Sequence, residues 1–146
     1  MNTISNIDQI IATRDLCKQI IADNDIKDFK NPNGLNLDVY EVAYPNKNLP
    51  DEFLVVKSIA QADDGRPISD GTVEICIYVA NLKMSGDQSQ PNLSRIKELT
   101  GIFVPAIRNA SKYKIAFNDF RTTLVSDRDI RYFYQSIVVN TVSINV

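Results

Sequence analysis

Residues 71–82, GTVEICIYVANL, constrain the fold more than any other stretch of the chain. Val73, Ile75, Ile77 and Val79 alternate with Thr72, Glu74, Cys76, Tyr78 and Ala80, a period of two that belongs to a β-strand. One row is wholly β-branched and suits a pleated, packed surface. The opposite row, with Cys76, Tyr78 and Ala80, is too apolar to face bare solvent. The pattern therefore predicts a central strand covered on both sides, the second cover coming from this chain or from another subunit.

Around this strand the chain punctuates itself. Ser5 to Asp23 predicts a helix that opens on an acidic capping box, Ser5 with Asp8. Ile7, Ile10, Ile11, Cys17 and Ile21 form its apolar stripe, widened by Leu16 and Ile20, with Arg14 snorkelling at the edge. Lys30 to Gly34 is a turn, Leu35 to Tyr44 a first strand, and Pro45 to Pro50 a break, because proline cannot donate to a ladder. Glu52 to Gln61 predicts a second strand, with Phe53, Val55 and Ile59 alternating against Leu54, Val56 and Ala60. The Asp-Gly-bearing segment from Ala62 to Asp70 is the hairpin loop into the central strand.

After a polar loop, Gln90 to Asn109 predicts a second helix, with Pro91 in its first position. Its stripe is Leu93, Ile96, Leu99, Phe103 and Ile107. Pro105 clashes with the carbonyl of Gly101 and is expected to kink or break it. Tyr113 to Val125 is a fourth strand, which Asn118-Asp119 is placed to bulge or turn. Arg131 to Val146 is a last strand. No charged side chain falls between Tyr132 and Val146, so that strand belongs inside the sheet or against a neighbouring subunit. The expected fold is a single α+β domain over residues 1–146. It has one antiparallel or mixed sheet of about five strands and two helices packed on it, in the order α-β-β-β-α-β-β.

Composition narrows the chemistry. The 146 residues are 44% hydrophobic and 23% charged, which fits one domain with a core. A net charge of −2 gives no bulk drive for nucleic acid, and no sequence-specific nucleic-acid partner is expected. No apolar run is long enough for a membrane span, and the first residues do not read as a signal peptide. Cys17 and Cys76 share no metal-like spacing. Two free thiols in an intracellular chain is the simpler reading, and one buried disulfide the other.

The chain has no His, which removes Ser-His and Cys-His catalysis and a principal metal ligand. Ser-x-x-Lys occurs at Ser94-Lys97 and Ser111-Lys114 without companion motifs, and phosphate-cradling glycine loops are absent. Asp63, Asp64 and Asp70 around Gly65 miss the EF-hand spacing and fit a turn better. Arg121, Arg128 and Arg131 form a loose basic group, read first as solvated surface and next as a contact for an acidic protein. No catalytic, cofactor or metal residue is assigned.

The pieces IDQIIATRDLCKQII, DVYEVAYPNKNLPDEFLVVKSI, GTVEICIYVANL, NLSRIKELTGIFVPAI and RYFYQSIVVNTVSI follow one another over nearly the whole chain. This succession resembles the tail-completion proteins of long-tailed phages, the tail terminators. They share an N-terminal helix, a strand ending in a Pro-containing loop, a hairpin, a strand of the V-x-I-x-V kind, a helix and two final strands. The loop from Pro45 to Pro50 and the helix carrying Gly101 and Pro105 depart from that pattern.

The resemblance implies a non-enzymatic phage or prophage virion protein. It would form a homo-oligomeric, typically hexameric, ring that closes the tail tube and meets the head connector. Its place is the virion and, during assembly, the host cytoplasm. The family carries no catalytic residues or cofactors to transfer. The candidate interface residues are Asp63, Asp64 and Arg66 at the hairpin tip, and Cys76 and Tyr78 on the second sheet face. Two alternatives stand beside this reading. One is a metal-dependent nuclease-like enzyme using Asp38, Asp51, Glu52 or Glu74 with Lys57. The other is a soluble adaptor domain that binds one protein.

Overall fold

The computed structural model describes residues 5–28, 34–61, 68–112 and 115–144. Two helices, α1 (Asn6–Asn24) and α2 (Leu93–Arg108), pack on one six-stranded mixed sheet. Its strands are β1 (Asp38–Glu41), β2 (Glu52–Gln61), β3 (Ile68–Ala80), β4 (Ser111–Lys112), β5 (Ile115–Asp127) and β6 (Tyr132–Ile144). Their order across the sheet is β1-β2-β3-β6-β5-β4. The expected α+β fold is the one found; the strand beyond the expected five is the two-residue β4.

β3 lies in the middle, antiparallel to β2 on one side and to β6 on the other. Val73, Ile75 and Ile77 are fully buried beneath the helices, and Val79 nearly so. The uncharged β6 is internal, between β3 and β5.

β1 departs from expectation. It is four residues long, shorter than the predicted Leu35 to Tyr44, and it runs parallel to β2, which makes the sheet mixed. The segment 42–51 explains this: it crosses the sheet instead of folding back as a hairpin. On the way it lays Tyr44 and Leu49 over the second face. Val42 begins the crossing at φ 69°, a left-handed conformation that a β-branched residue rarely adopts. Its N–H still reaches the Val56 carbonyl at 2.8 Å, and its side chain is exposed. Val42→Gly therefore loses little packing and relieves the strained backbone. A gain of about 1 kcal/mol in urea unfolding is expected, and a loss of stability would refute the strain.

The N-cap of α1 forms as the sequence predicts. Ser5 Oγ accepts from the Asp8 N–H, and Asp8 accepts from the Ser5 N–H at 2.9 Å. The inward face, however, is rotated from the predicted stripe. Ile7 and Ile11 point outward, while Gln9, Ala12 and Thr13 are buried. The cause is the polar end of β6: Gln9 Nε2 donates to Thr141 Oγ1 at 2.6 Å and reaches Ser143 Oγ at 3.4 Å. Arg14 is tied down by Glu41 at 2.6 Å and by Asp15, so it does more than snorkel.

In α2 the cap is Asn92, whose side chain accepts from the Arg95 N–H. Pro91 therefore precedes the helix and does not occupy its first turn. Ile96, Leu99, Phe103 and Ile107 are buried as predicted, but Leu93 is 57% exposed. The helix is not broken at Pro105; it continues to Arg108. The proline ring lies on the exposed side, where the turn can accommodate it, and its carbonyl accepts from the backbone N–H and side-chain amide of Asn109.

Candidate interaction surfaces

The second face of the sheet divides into two halves. One half is a closed aromatic cluster. Phe53 of β2 stacks on Tyr78 of β3, with centroids 4.7 Å apart and planes at 10°. Tyr134 of β6 stacks on the other side of Tyr78 at 4.6 Å. Tyr44, carried by the crossing segment, meets both Phe53 and Tyr78 edge-on. Each hydroxyl that needs a partner finds one: Tyr44 donates to Asp127 at 2.8 Å, and Tyr132 donates to the Pro50 carbonyl. Burial, with Asp127 adding to it, pushes the Tyr44 hydroxyl up to about 12.

This cluster decides the place of two expected interface residues. Cys76 is fully buried and Tyr78 is 4% exposed. Their cover comes from the chain's own aromatics, so as placed they offer no side-chain surface to a partner. Cys17 is buried in the main core, and both cysteines are free thiols. Burial raises each to about 12, so neither is a reactive thiolate at neutral pH. The other three expected interface residues, Asp63, Asp64 and Arg66, lie outside the described residues.

The other half of the second face carries Lys57, Thr72, Glu74, Ser136, Val138 and Asn140, together with Asn118, Arg121 and Thr123 of β5. Neither helix lies on it. Ser136 donates to Glu74 at 2.5 Å, and Lys57 stands 4.0 Å from the same carboxylate. Thr72 donates to Asn140, which in turn donates to Asp119. The result is a flat polar surface whose hydrogen bonds run within the sheet.

The carboxylates considered for a nuclease do not converge. Glu52 turns toward the helices and is held by Arg95 Nε at 2.7 Å and Nη2 at 2.9 Å. Glu74 is on the opposite face. Asp38 accepts from Tyr40, and the Asp51 N–H donates to Asp28. Among the described residues, no group of three Asp, Glu, Cys or His side chains is placed to hold a metal ion. No described helix is long and apolar enough to cross a membrane.

Two of the three arginines singled out in the sequence meet. Arg128 and Arg131 line a cavity of about 820 Å³ with Asn81, Asp87, Gln88 and Ser89. Arg131 donates to Gln88 Oε1, and Asn81 donates to the Gln88 carbonyl, so the loop 83–90 is tied to the β5–β6 turn. Arg121 stands apart on β5.

The least closed part of the molecule is the outer side of β5. β4 pairs with it only at Ile115 and Ala116. A bulge between Asn118 and Arg121, with Asp119 at φ 55°, follows. From Phe117 to Asp127 no described strand pairs with the outer edge. Alongside it runs a groove between α2 and the sheet, lined by Leu93, Val104, Phe120 and Leu124 among others. Sequence reasoning placed the bulge but not the open edge, since strand order is invisible in a period of two. No protein-family model and no curated protein matches the chain.

Proposed function

We propose that the chain is a structural assembly protein of the tail-terminator or neck type, from a phage or prophage. In this reading subunits join in a ring, typically hexameric, that closes the tail tube and meets the head connector. The protein acts in the virion and in the host cytoplasm during assembly. The observation that carries the reading is the surface left over after the chain has packed its own core. The half of the second sheet face around Glu74, Val138 and Arg121 is covered neither by a described helix nor by the aromatic cluster. Such surfaces suit tiling against like subunits, because a heterologous contact that closes on itself can cover them in every copy. The order of elements resembling the tail terminators supplies the kind of assembly.

The reading is tested by deleting the coding sequence from the phage that carries it. Tails of uncontrolled length and heads without tails, both cured by supplying the protein, are expected. Normal virions from the deleted phage would refute it.

A further inference from the structure

The open edge of β5 is self-complementary. Residues 121–127 read RTTLVSD, with one cation at the start, one anion at the end, and only Thr, Leu, Val and Ser between. Edge strands are commonly guarded by charges, proline or bulges along their length. Here the bulge and the charges stand at the ends of the segment and the middle is unguarded. Arg121, Thr123, Val125 and Asp127 share the second face, as their pairing with β6 shows, while Leu124 lies on the helix side. Leu124 is 40% exposed beside the exposed Leu93, an apolar spot at the margin of the joint.

We propose that two copies of this chain pair through β5, antiparallel, about a two-fold axis at Leu124. This register places Arg121 of each copy opposite Asp127 of the other, giving two opposite-charge pairs per joint. Thr123 faces Val125, and the two Leu124 side chains meet on the helix side. Cross-strand pairs of these kinds each favour the register, while neighbouring two-fold registers lose both charge pairs. The two sheets become one continuous sheet, and an isologous joint of this sort closes after two copies. Asp127 keeps its bond from Tyr44, because that bond uses one carboxylate oxygen only. The inference does not rest on the tail reading. It uses the sheet edge and leaves the uncovered face free.

Analytical ultracentrifugation up to about 1 mM protein is the first test, since even a weak association shows there. A monomer–dimer equilibrium is expected. Arg121→Asp or Asp127→Arg alone should weaken it roughly tenfold, and the two together should restore it, because opposite charges again face each other. Leu124→Cys should form a covalent dimer on mild oxidation, since directly opposed strand residues lie within disulfide reach. Thr122→Cys, displaced from its own copy, should not. The native thiols do not interfere, both being buried.

Monomer at every concentration, a dimer indifferent to both charge reversals, or equal cross-linking through Thr122→Cys would each overturn the proposal. If the deleted phage makes normal virions while the dimer persists, only the tail reading fails. If the deletion phenotype appears and is cured by supplied protein while no dimer forms, only this joint fails.

Discussion

A chain carrying Ile77→Asp is expected to be unfolded at room temperature, with no cooperative thermal transition by circular dichroism. Ile77 is fully buried at the centre of β3, paired with Leu54 on one side and Gln135 on the other. Its row packs against both helices. A carboxylate there has no cation to meet and loses its hydration, which costs several kcal/mol. The total stability of a domain this size is roughly 5–15 kcal/mol. Ile77→Val, which removes one methylene, should cost only about 1 kcal/mol and still fold. A folded Ile77→Asp protein with an unshifted melting temperature would refute the placement of β3.

The second large effect is expected at the Arg95–Glu52 pair. Glu52 opens β2 on the helix side and Arg95 sits in the first turn of α2. Their side chains are 2% and 10% exposed, and the guanidinium grips both carboxylate oxygens. Arg95 also donates to the Lys27 carbonyl, so it joins α2, β2 and the segment that follows α1 at one point. Arg95→Ala leaves a buried carboxylate without its main cation and is expected to cost about 3–5 kcal/mol in urea unfolding. Arg95→Met combined with Glu52→Leu removes both charges and should lie much nearer the wild type. The outlying Glu98, 59% exposed, adds little to the cluster. A single-variant loss under about 1 kcal/mol would show that water reaches the pair.

Much of the core was legible because each signal was local. The period of two in Val73 to Val79 marks β3, and the uncharged run after Tyr132 marks an interior strand. Ser5 and Asp8 mark the helix start, and Asn118-Asp119 marks the bulge. What stayed hidden depends on partners distant in sequence. Gln9 turns inward because the end of β6 is polar, which no helical pattern reveals, and it brings Thr13 in one turn on, with its hydroxyl buried and, among the described residues, without a hydrogen-bond partner. Ile59 is exposed because β2 shifts register between Ser58 and Ala60, turning an alternating residue outward. β1 is parallel because segment 42–51 prefers to bury Tyr44 and Leu49 over the cluster of Phe53 and Tyr78. The same segment supplies the second cover that the sequence required without naming its source. The open side of β5 emerged only from the order of strands, which a period of two does not carry.

The measurement that bears most directly on the assembly reading uses the tail tube itself. Purified protein is added to growing tubes of its own phage, and tube ends and lengths are scored by electron microscopy. The reading predicts a ring seated on one end and shorter tubes of uniform length as the protein concentration rises. Tubes that grow on uncapped and equally long at saturating protein would contradict it.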